Sequence, residues 1–470
     1  MEEVKLREKV AYGFGDAASS MFWKLFTMYL LFFYTDVFGI EAALVGTMFL
    51  ITRIWDSLLD PFIGVVTDRT KSRWGKFRPY LLYVAIPFGI IGIFTFTTPA
   101  LGASGKLIYA YVSYSLMMMI YSLINVPYAS LLGVMSADPK VRTELSSFRM
   151  IFAFIGSIVV LLLVEPLVEF FSKQKNALVP DLAFGWQMAA VVFAAIAVSL
   201  FILCFAWTKE RVKPLLHESG SLKQDISDLF KNKPWWILLV AGIATLIFNS
   251  VRDGAAVYYF KYYVADTAVV QMGFADVSLT LTTLYFVLGQ AANIVGIILV
   301  NPVSRRIGKK KSFLFAMLFA TVFNTMFYFM GSNDITWIMT LQVLVSICAG
   351  SVTPLLWSMY ADIADFSEWK TGRRATGLIF SSSSMSQKFG WSLGGALAGW
   401  LLGYFGFKAN VVQTEEVQHG LRLMLSFFPA AATILSVLFI SWYPLSEGKI
   451  AEVTSDLELR RKNALEAGRL

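Results

Sequence analysis

The stretch RIWDSLLDPF carries three ionisable side chains, Arg53, Asp56 and Asp60, inside an otherwise apolar run. An ionisable group at bilayer depth costs roughly 2.5–3.5 kcal/mol on insertion scales, so each one needs a reason to be there. On a helix, Asp56 and Asp60 stand one turn apart and share a face. Two such carboxylates repel each other and resist joint ionisation unless a cation lies between them or a proton neutralises one. That is the chemistry of a monovalent-cation site, with Asp56 and Asp60 as the metal ligands if the ion is Na+. A Ca2+ site would call for more oxygen ligands nearby. The competing reading is a structural charge network with Arg53 and Arg149.

Other polar groups interrupt apolar runs in ways that suit a solute pathway. Ser122, in IYSLINVPY, offers a neutral oxygen, although a lone membrane serine commonly bonds its own backbone. Lys388, in SSSSMSQKFGWS, lies far from either end of its run, where an ammonium needs a water-filled cavity or a carboxylate. Asp16 in YGFGDAASS, with Ser20 and Trp23 at i+4 and i+7, makes a polar and aromatic stripe suited to a sugar ring; packing is the alternative for Trp23. Gly395, Gly399 and Gly403 recur every four residues, with Gly390 and Gly394 before them, a spacing that lets helices approach closely. Cys204 and Cys348 fall in apolar runs and read as inert, unbridged thiols.

The elements that must position these groups are membrane helices. Of 470 residues, 57% are hydrophobic and only 15% charged, too little polar surface for a soluble chain of this length. A span needs roughly 20 apolar residues. Windows of that kind fall at 11–37, 43–66, 79–99, 107–134, 148–171, 185–207, 235–264, 277–300, 313–331, 336–361, 376–404 and 421–443. The charged start, MEEVKLREKV, with no small-residue cleavage site after the first run, reads as leading into a retained helix. Loops after even-numbered spans hold 21 Lys and Arg, against four after odd-numbered ones. That asymmetry implies both termini in the cytoplasm of a bacterial inner (plasma) membrane. It also attributes the net charge of +8 to loops facing anionic lipid, a membrane partner rather than nucleic acid.

The expected organisation is a six-helix half at 1–207, a connecting loop at 208–234, a second half at 235–443 and a tail at 444–470. Within the connector, Leu222, Ile226, Leu229 and Phe230 recur at helical spacing, and Ile450, Val453 and Leu457 suggest another amphipathic helix in the tail. The halves echo each other: DRTKSRWGKFRP after the second span matches SRRIGKKKS after the eighth. Paired six-helix halves are the build of rocking-bundle transporters.

YGFGD, FFYTDVFG, RIWDSLLDPFIG, SRWGKFRP, NVPYASL, AVYYFKYYV, YADIADFSEWKTGRRATG and QKFG together resemble the glycoside–pentoside–hexuronide:cation symporters of the major facilitator superfamily, over nearly the whole chain. The resemblance implies an all-α major facilitator fold and a cation site for Na+, Li+ or H+ at Asp56 and Asp60, completed by Ser122. It implies a sugar pocket that includes Arg149 and Lys388. The expected substrate-facing set is Asp16, Ser20, Trp23, Tyr121, Asn125, Arg149, Ser383, Ser384 and Lys388. Departures from melibiose permease, its best-known member, are Ser19 and Ser20 in place of a Lys-Asp pair and Asn125 in place of an aspartate; Ala129 and Thr353 replace tryptophans, and Leu59 an asparagine. They disfavour a galactoside and point towards the xyloside and glucuronide branches.

No G-x-x-x-x-G-K-[ST] loop is present, so ATP is not expected as the energy source and no cofactor beyond the coupling ion, Na+ or H+, is implied. The rival readings are a cation-coupled transporter of lipid or another amphiphile, a membrane enzyme, and a receptor without flux. An enzyme is disfavoured because the outer loops are short and the two histidines stand apart.

Overall fold

The computed structural model describes residues 4–70, 72–136, 139–175, 180–211, 229–264, 270–271, 278–371 and 376–466. Leu222 and Ile226, expected on an amphipathic connector helix, lie outside the described residues; Leu229 and Phe230 lie inside them. Among the described residues, seven helices are long and apolar enough to cross a membrane. Helices also run through the expected spans at 11–37, 43–66, 79–99, 313–331 and 376–404. Among the described residues the one strand pairing is a two-residue ladder, Val270 opposite Leu279 and Gln271 opposite Ser278.

Several helices outrun the apolar windows that announced them. Pro139–Lys175 and Ile335–Thr371 each run to 37 residues, because hydropathy ends at the first charges whereas Lys, Glu and Arg continue a helix readily. Prolines explain two divided spans. Pro87 cannot donate to the Tyr83 carbonyl, and the third span separates into Arg78–Tyr83 and Ala85–Thr95. Pro429 cannot donate to the Leu425 carbonyl, and the last span separates into Glu415–Leu425 and Phe427–Ser441. The tail forms a helix, Glu447–Glu466, with Val453 and Leu457 buried, as their spacing anticipates. Cys204 and Cys348 are free thiols.

The helices gather into two compact units. One comprises 1–216, 253–287 and 395–421; the other comprises 217–252, 288–394 and 422–470. In the first unit the YGFGD glycines make room for aromatic neighbours: a Cβ on Gly15 would stand 2.3 Å from the Tyr128 ring, and one on Gly13 2.5 Å from Phe152. In the same unit the Thr376–Tyr404 helix crosses Ala42–Arg69 through Gly399. A Cβ there would lie 2.6 Å from the Ala42 carbonyl oxygen and 2.8 Å from the Gly46 Cα. In the second unit, Tyr360, Phe313 and Trp235 anchor an apolar core with Val300, Met359 and Ile440.

Each unit carries a carboxylate on a helix start. Glu210 accepts from the backbone N–H groups of Lys76, Phe77 and Arg78 at 2.9, 2.8 and 3.0 Å. Glu447 accepts from the Lys309 N–H at 2.6 Å. Gly75 (φ +108) and Gly308 (φ +87) precede these amides in a backbone region that L side chains rarely adopt, and each faces its glutamate without a Cβ in the way. Unsatisfied N–H groups and the positive helix end favour a carboxylate at both places.

The Gly399 crossing predicts that Gly399→Leu destabilises the protein by about 1–3 kcal/mol through overpacking. Thermal unfolding of the purified protein checks this, with Gly102→Ala, which meets nothing within 4 Å, expected to leave the midpoint unchanged.

Candidate functional site

The Ala42–Arg69 helix places Asp56 inward, where it is 1% exposed. The Ala103–Met135 helix brings Ser122 to it, and the Ser122 hydroxyl donates to Asp56 Oδ1 at 2.6 Å. A hydroxyl that donates its one proton keeps two lone pairs, so the same oxygen can also face a cation. Arg53 Nη1 stands 3.6 Å from Asp56 Oδ2, an ion pair longer than a direct N–H···O bond. Asp60 follows one turn later and is half-buried. Pro127 lies in the same helix as Ser122 and cannot donate to the Leu123 carbonyl, which opens the backbone ladder beside the serine.

Of the competing network, half is present. Arg53 attends Asp56, but Arg149 is engaged elsewhere: its Nε donates to Asp16 Oδ2 at 2.8 Å and its Nη2 approaches Oδ1 at 3.4 Å. The Arg149 guanidinium also lies 5.0 Å from the Tyr128 ring centre, and the Tyr128 hydroxyl donates to the Tyr12 carbonyl at 2.6 Å. The Arg53 guanidinium lies 4.6 Å from the Trp23 ring centre, and Trp23 packs against Tyr121 at 5.8 Å. Trp23, Tyr121 and Arg53 therefore form one aromatic–cation stack beside Asp56.

Asn125 is joined by Ser19 rather than Ser20: the Ser19 hydroxyl reaches its Oδ1 at 2.8 Å, and Asn125 Nδ2 donates to the Tyr121 carbonyl at 3.0 Å. Ser20 is half-buried and makes no hydrogen bond to a described residue. Lys388 belongs to the second unit, half-buried on the Thr376–Tyr404 helix, where its carbonyl accepts from the Ser392 hydroxyl at 2.6 Å. The side chains of Ser383 and Ser384 lie outside the described residues. The first unit thus holds Asp56, Asp60, Ser122, Asp16, Arg149, Asn125, Trp23 and Tyr121 together, and Lys388 stands in the other.

Sequence reasoning overlooked three charged clusters. Asp36, 7% exposed, receives Lys261 Nζ at 2.7 Å, the Thr35 hydroxyl at 2.7 Å and the Tyr262 hydroxyl, while Asn410 Nδ2 donates to its backbone carbonyl at 2.7 Å. Asp36 and Lys261 each sit in a single π-helical turn, Phe33–Val37 and Phe260–Val264, at the ends of the first and seventh spans. Such turns are frequent where a helix must re-aim functional side chains. Glu165, on Pro139–Lys175, accepts from the Thr280 hydroxyl and, at 3.4 Å, from that of Tyr29. Arg252, 4% exposed, donates to Gln342 Oε1 at 2.7 Å, to Asn324 Oδ1, and at 3.0 Å to the Leu425 carbonyl that Pro429 leaves free. A systematic search for charges inside the apolar runs would have flagged FFYTDVFG, VEPLVEF, NSVRDG and YYFKYY.

Residues 11–447 match the MFS/sugar transport protein family. The chain is 32% identical to a putative glycoside/cation symporter, YagG, of Escherichia coli (strain K12), across 97% of this chain and 96% of that one. It is 33% identical to the isoprimeverose transporter of Lactiplantibacillus pentosus, across 97% and 93%. Its fold is similar to that of the nucleoside transporter NupG, with a TM-score of 0.61 at 13% identity, covering 93% of this chain and 100% of that one. The chain belongs to the MFS/sugar transport protein family, in the glycoside–pentoside–hexuronide:cation symporter group that its motifs resemble.

Proposed function

We propose that this protein is a secondary active transporter that couples uptake of a neutral sugar or glycoside to a monovalent cation, Na+ or H+, by alternating access between two six-helix halves. The observation that carries the reading is the buried Asp56–Ser122 pair, one turn from Asp60, with Arg53 only loosely against it at 3.6 Å. Two carboxylates one turn apart and shielded from water resist joint ionisation, and a cation between Asp56 and Asp60 relieves that repulsion. The kinship with glycoside/cation symporters supports the same assignment. Twelve crossings, a bacterial inner-membrane location and cytoplasmic termini are part of the proposal; the 21-to-four asymmetry of basic loop residues supports them.

The sugar binds beside the cation, at Trp23, Tyr121, Asn125 and Arg149; Lys388, which the family resemblance counts among the sugar residues, belongs to the second unit. Because Asp16 already holds Arg149 in a two-point contact, that pair offers hydrogen bonds to hydroxyls rather than an uncompensated charge to a uronate. The cation fixes the helix that carries Ser122 against Asp56 and raises sugar affinity in the adjoining space. By linkage the sugar then tightens the cation by the same factor. Energy comes from the ion gradient.

Three outcomes test this in membrane vesicles, with Na+ and pH varied independently. Asp56→Asn and Asp60→Asn are expected to abolish concentrative uptake while sparing sugar counterflow; full uphill uptake in both overturns the cation assignment. Ser122→Ala is expected to raise the half-saturating cation concentration about three- to tenfold, the worth of one hydrogen-bonding group, with the maximal rate retained. In a glycoside panel, neutral xylosides are expected to compete better than galactosides or glucuronides, and a strong preference for glucuronides would show that Arg149 leaves Asp16 to meet substrate.

A further inference from the structure

A cavity within the second unit is lined by none of the candidate cation or sugar residues. It has a volume of about 640 Å³ and opens where three segments meet: the start of Lys233–Tyr259, the end of Ile335–Thr371 and the stretch leading into Glu447–Glu466. Four lysines line it, Lys231, Lys233, Lys370 and Lys449, above an apolar floor that includes Phe366 and Leu445. Lys449 is partly satisfied, with Glu452 at 2.8 Å and the Trp369 ring centre at 4.6 Å. Lys231, Lys233 and Lys370 form an ion pair with no described residue, and all three are exposed. Repulsion among clustered ammonium groups disfavours leaving them without an anion, so the site has the charge of an anion receptor.

Its apolar floor and its neighbours identify the anion's other end. Trp236, 40% exposed near the start of Lys233–Tyr259, and Trp442, 65% exposed at the end of Phe427–Ser441, stand close in the chain to the lining residues Pro234 and Pro444; Trp236 Nε1 donates to the Phe230 carbonyl at 3.0 Å. Exposed indole rings at the end of a membrane helix mark the level of the lipid headgroups. A free inorganic anion is strongly hydrated and gains nothing from Phe366 and Leu445. A phosphodiester with acyl chains gains both from the lysines and from the apolar wall. Basic pockets between helices at the headgroup level are built to take such headgroups.

We infer that the Lys231–Lys233–Lys370–Lys449 cavity is a binding site for the headgroup of an anionic phospholipid. The lipid phosphate pairs with the lysines while its chains pass along the apolar side, bridging the start of the seventh span, the end of the tenth and the root of the tail helix. The site is separate from the cation and sugar residues, so its test does not depend on transport.

Native mass spectrometry of the delipidated full chain, titrated with phosphatidylglycerol, tests the inference, with phosphatidylcholine and inorganic phosphate as alternative probes. The wild type is expected to retain phosphatidylglycerol in preference to phosphatidylcholine, and inorganic phosphate is not expected to displace it. Lys231→Gln/Lys370→Gln is expected to weaken retention about thirtyfold, at about fivefold for each lysine near a headgroup. Lys173→Gln/Lys408→Gln, with the same loss of charge elsewhere, is expected to change nothing. Equal retention of both lipids, displacement by inorganic phosphate, or equal weakening in the two double variants overturns the assignment. Should the first double variant fold poorly, the lipid and phosphate competition on the wild type still decides it.

Discussion

A carboxylate enclosed by apolar helices cannot spread its charge into water, and Asp56 is 1% exposed. Its compensation fixes the neighbourhood. Ser122 must come within hydrogen-bonding reach from the Ala103–Met135 helix, and Arg53 must lie on the same turn as Asp56. Arg53 is in turn held by Trp23 of the first span, which leans on Tyr121, one residue before Ser122. The chain of contacts thus closes on itself through three helices. Removing one member leaves a buried charge with too little around it, a penalty larger than the worth of the contact itself. Arg53 stands at 3.6 Å, an ion-pair distance longer than a direct hydrogen bond.

The same rule applies elsewhere with a different result. Arg149 and Asp16 satisfy each other in two places, and Lys261 and Asp36 are sealed among Thr35, Tyr262 and Asn410. Arg252 is pinned to three helices of its unit, one of them through the Leu425 carbonyl that Pro429 cannot engage. Closed networks of this kind specify which helices meet.

Much of this was legible in the sequence. The apolar runs located the helices, since length and hydropathy are local properties, and the Asp56–Asp60 spacing is a property of one helix. Gly399 was legible as a close-packing position, though not what it packs against, whereas YGFGD was read for its polar stripe and as a family motif and not for its glycines. Helix ends were read too short at Pro139–Lys175 and Ile335–Thr371, because hydropathy stops where a helix need not. The pairing of Asp36 with Lys261 was hidden for another reason. The partners lie 225 residues apart, and only packing brings them together. Their motifs were noticed as family marks while their charges went unexamined. Ser19 was preferred over Ser20 by Asn125 through helical phase, which a one-residue difference in sequence does not reveal.

The two glutamates that cap helix starts carry a consequence for how the protein is made. Glu210 closes on amides 132 to 134 residues earlier in the chain, and Glu447 on an amide 138 residues earlier. In each case the acceptor emerges from the ribosome only after five further described helices have followed the loop it fastens. Each basic turn therefore stays unfastened until a much later stretch of the chain has been made, a late closure written twice in one polypeptide.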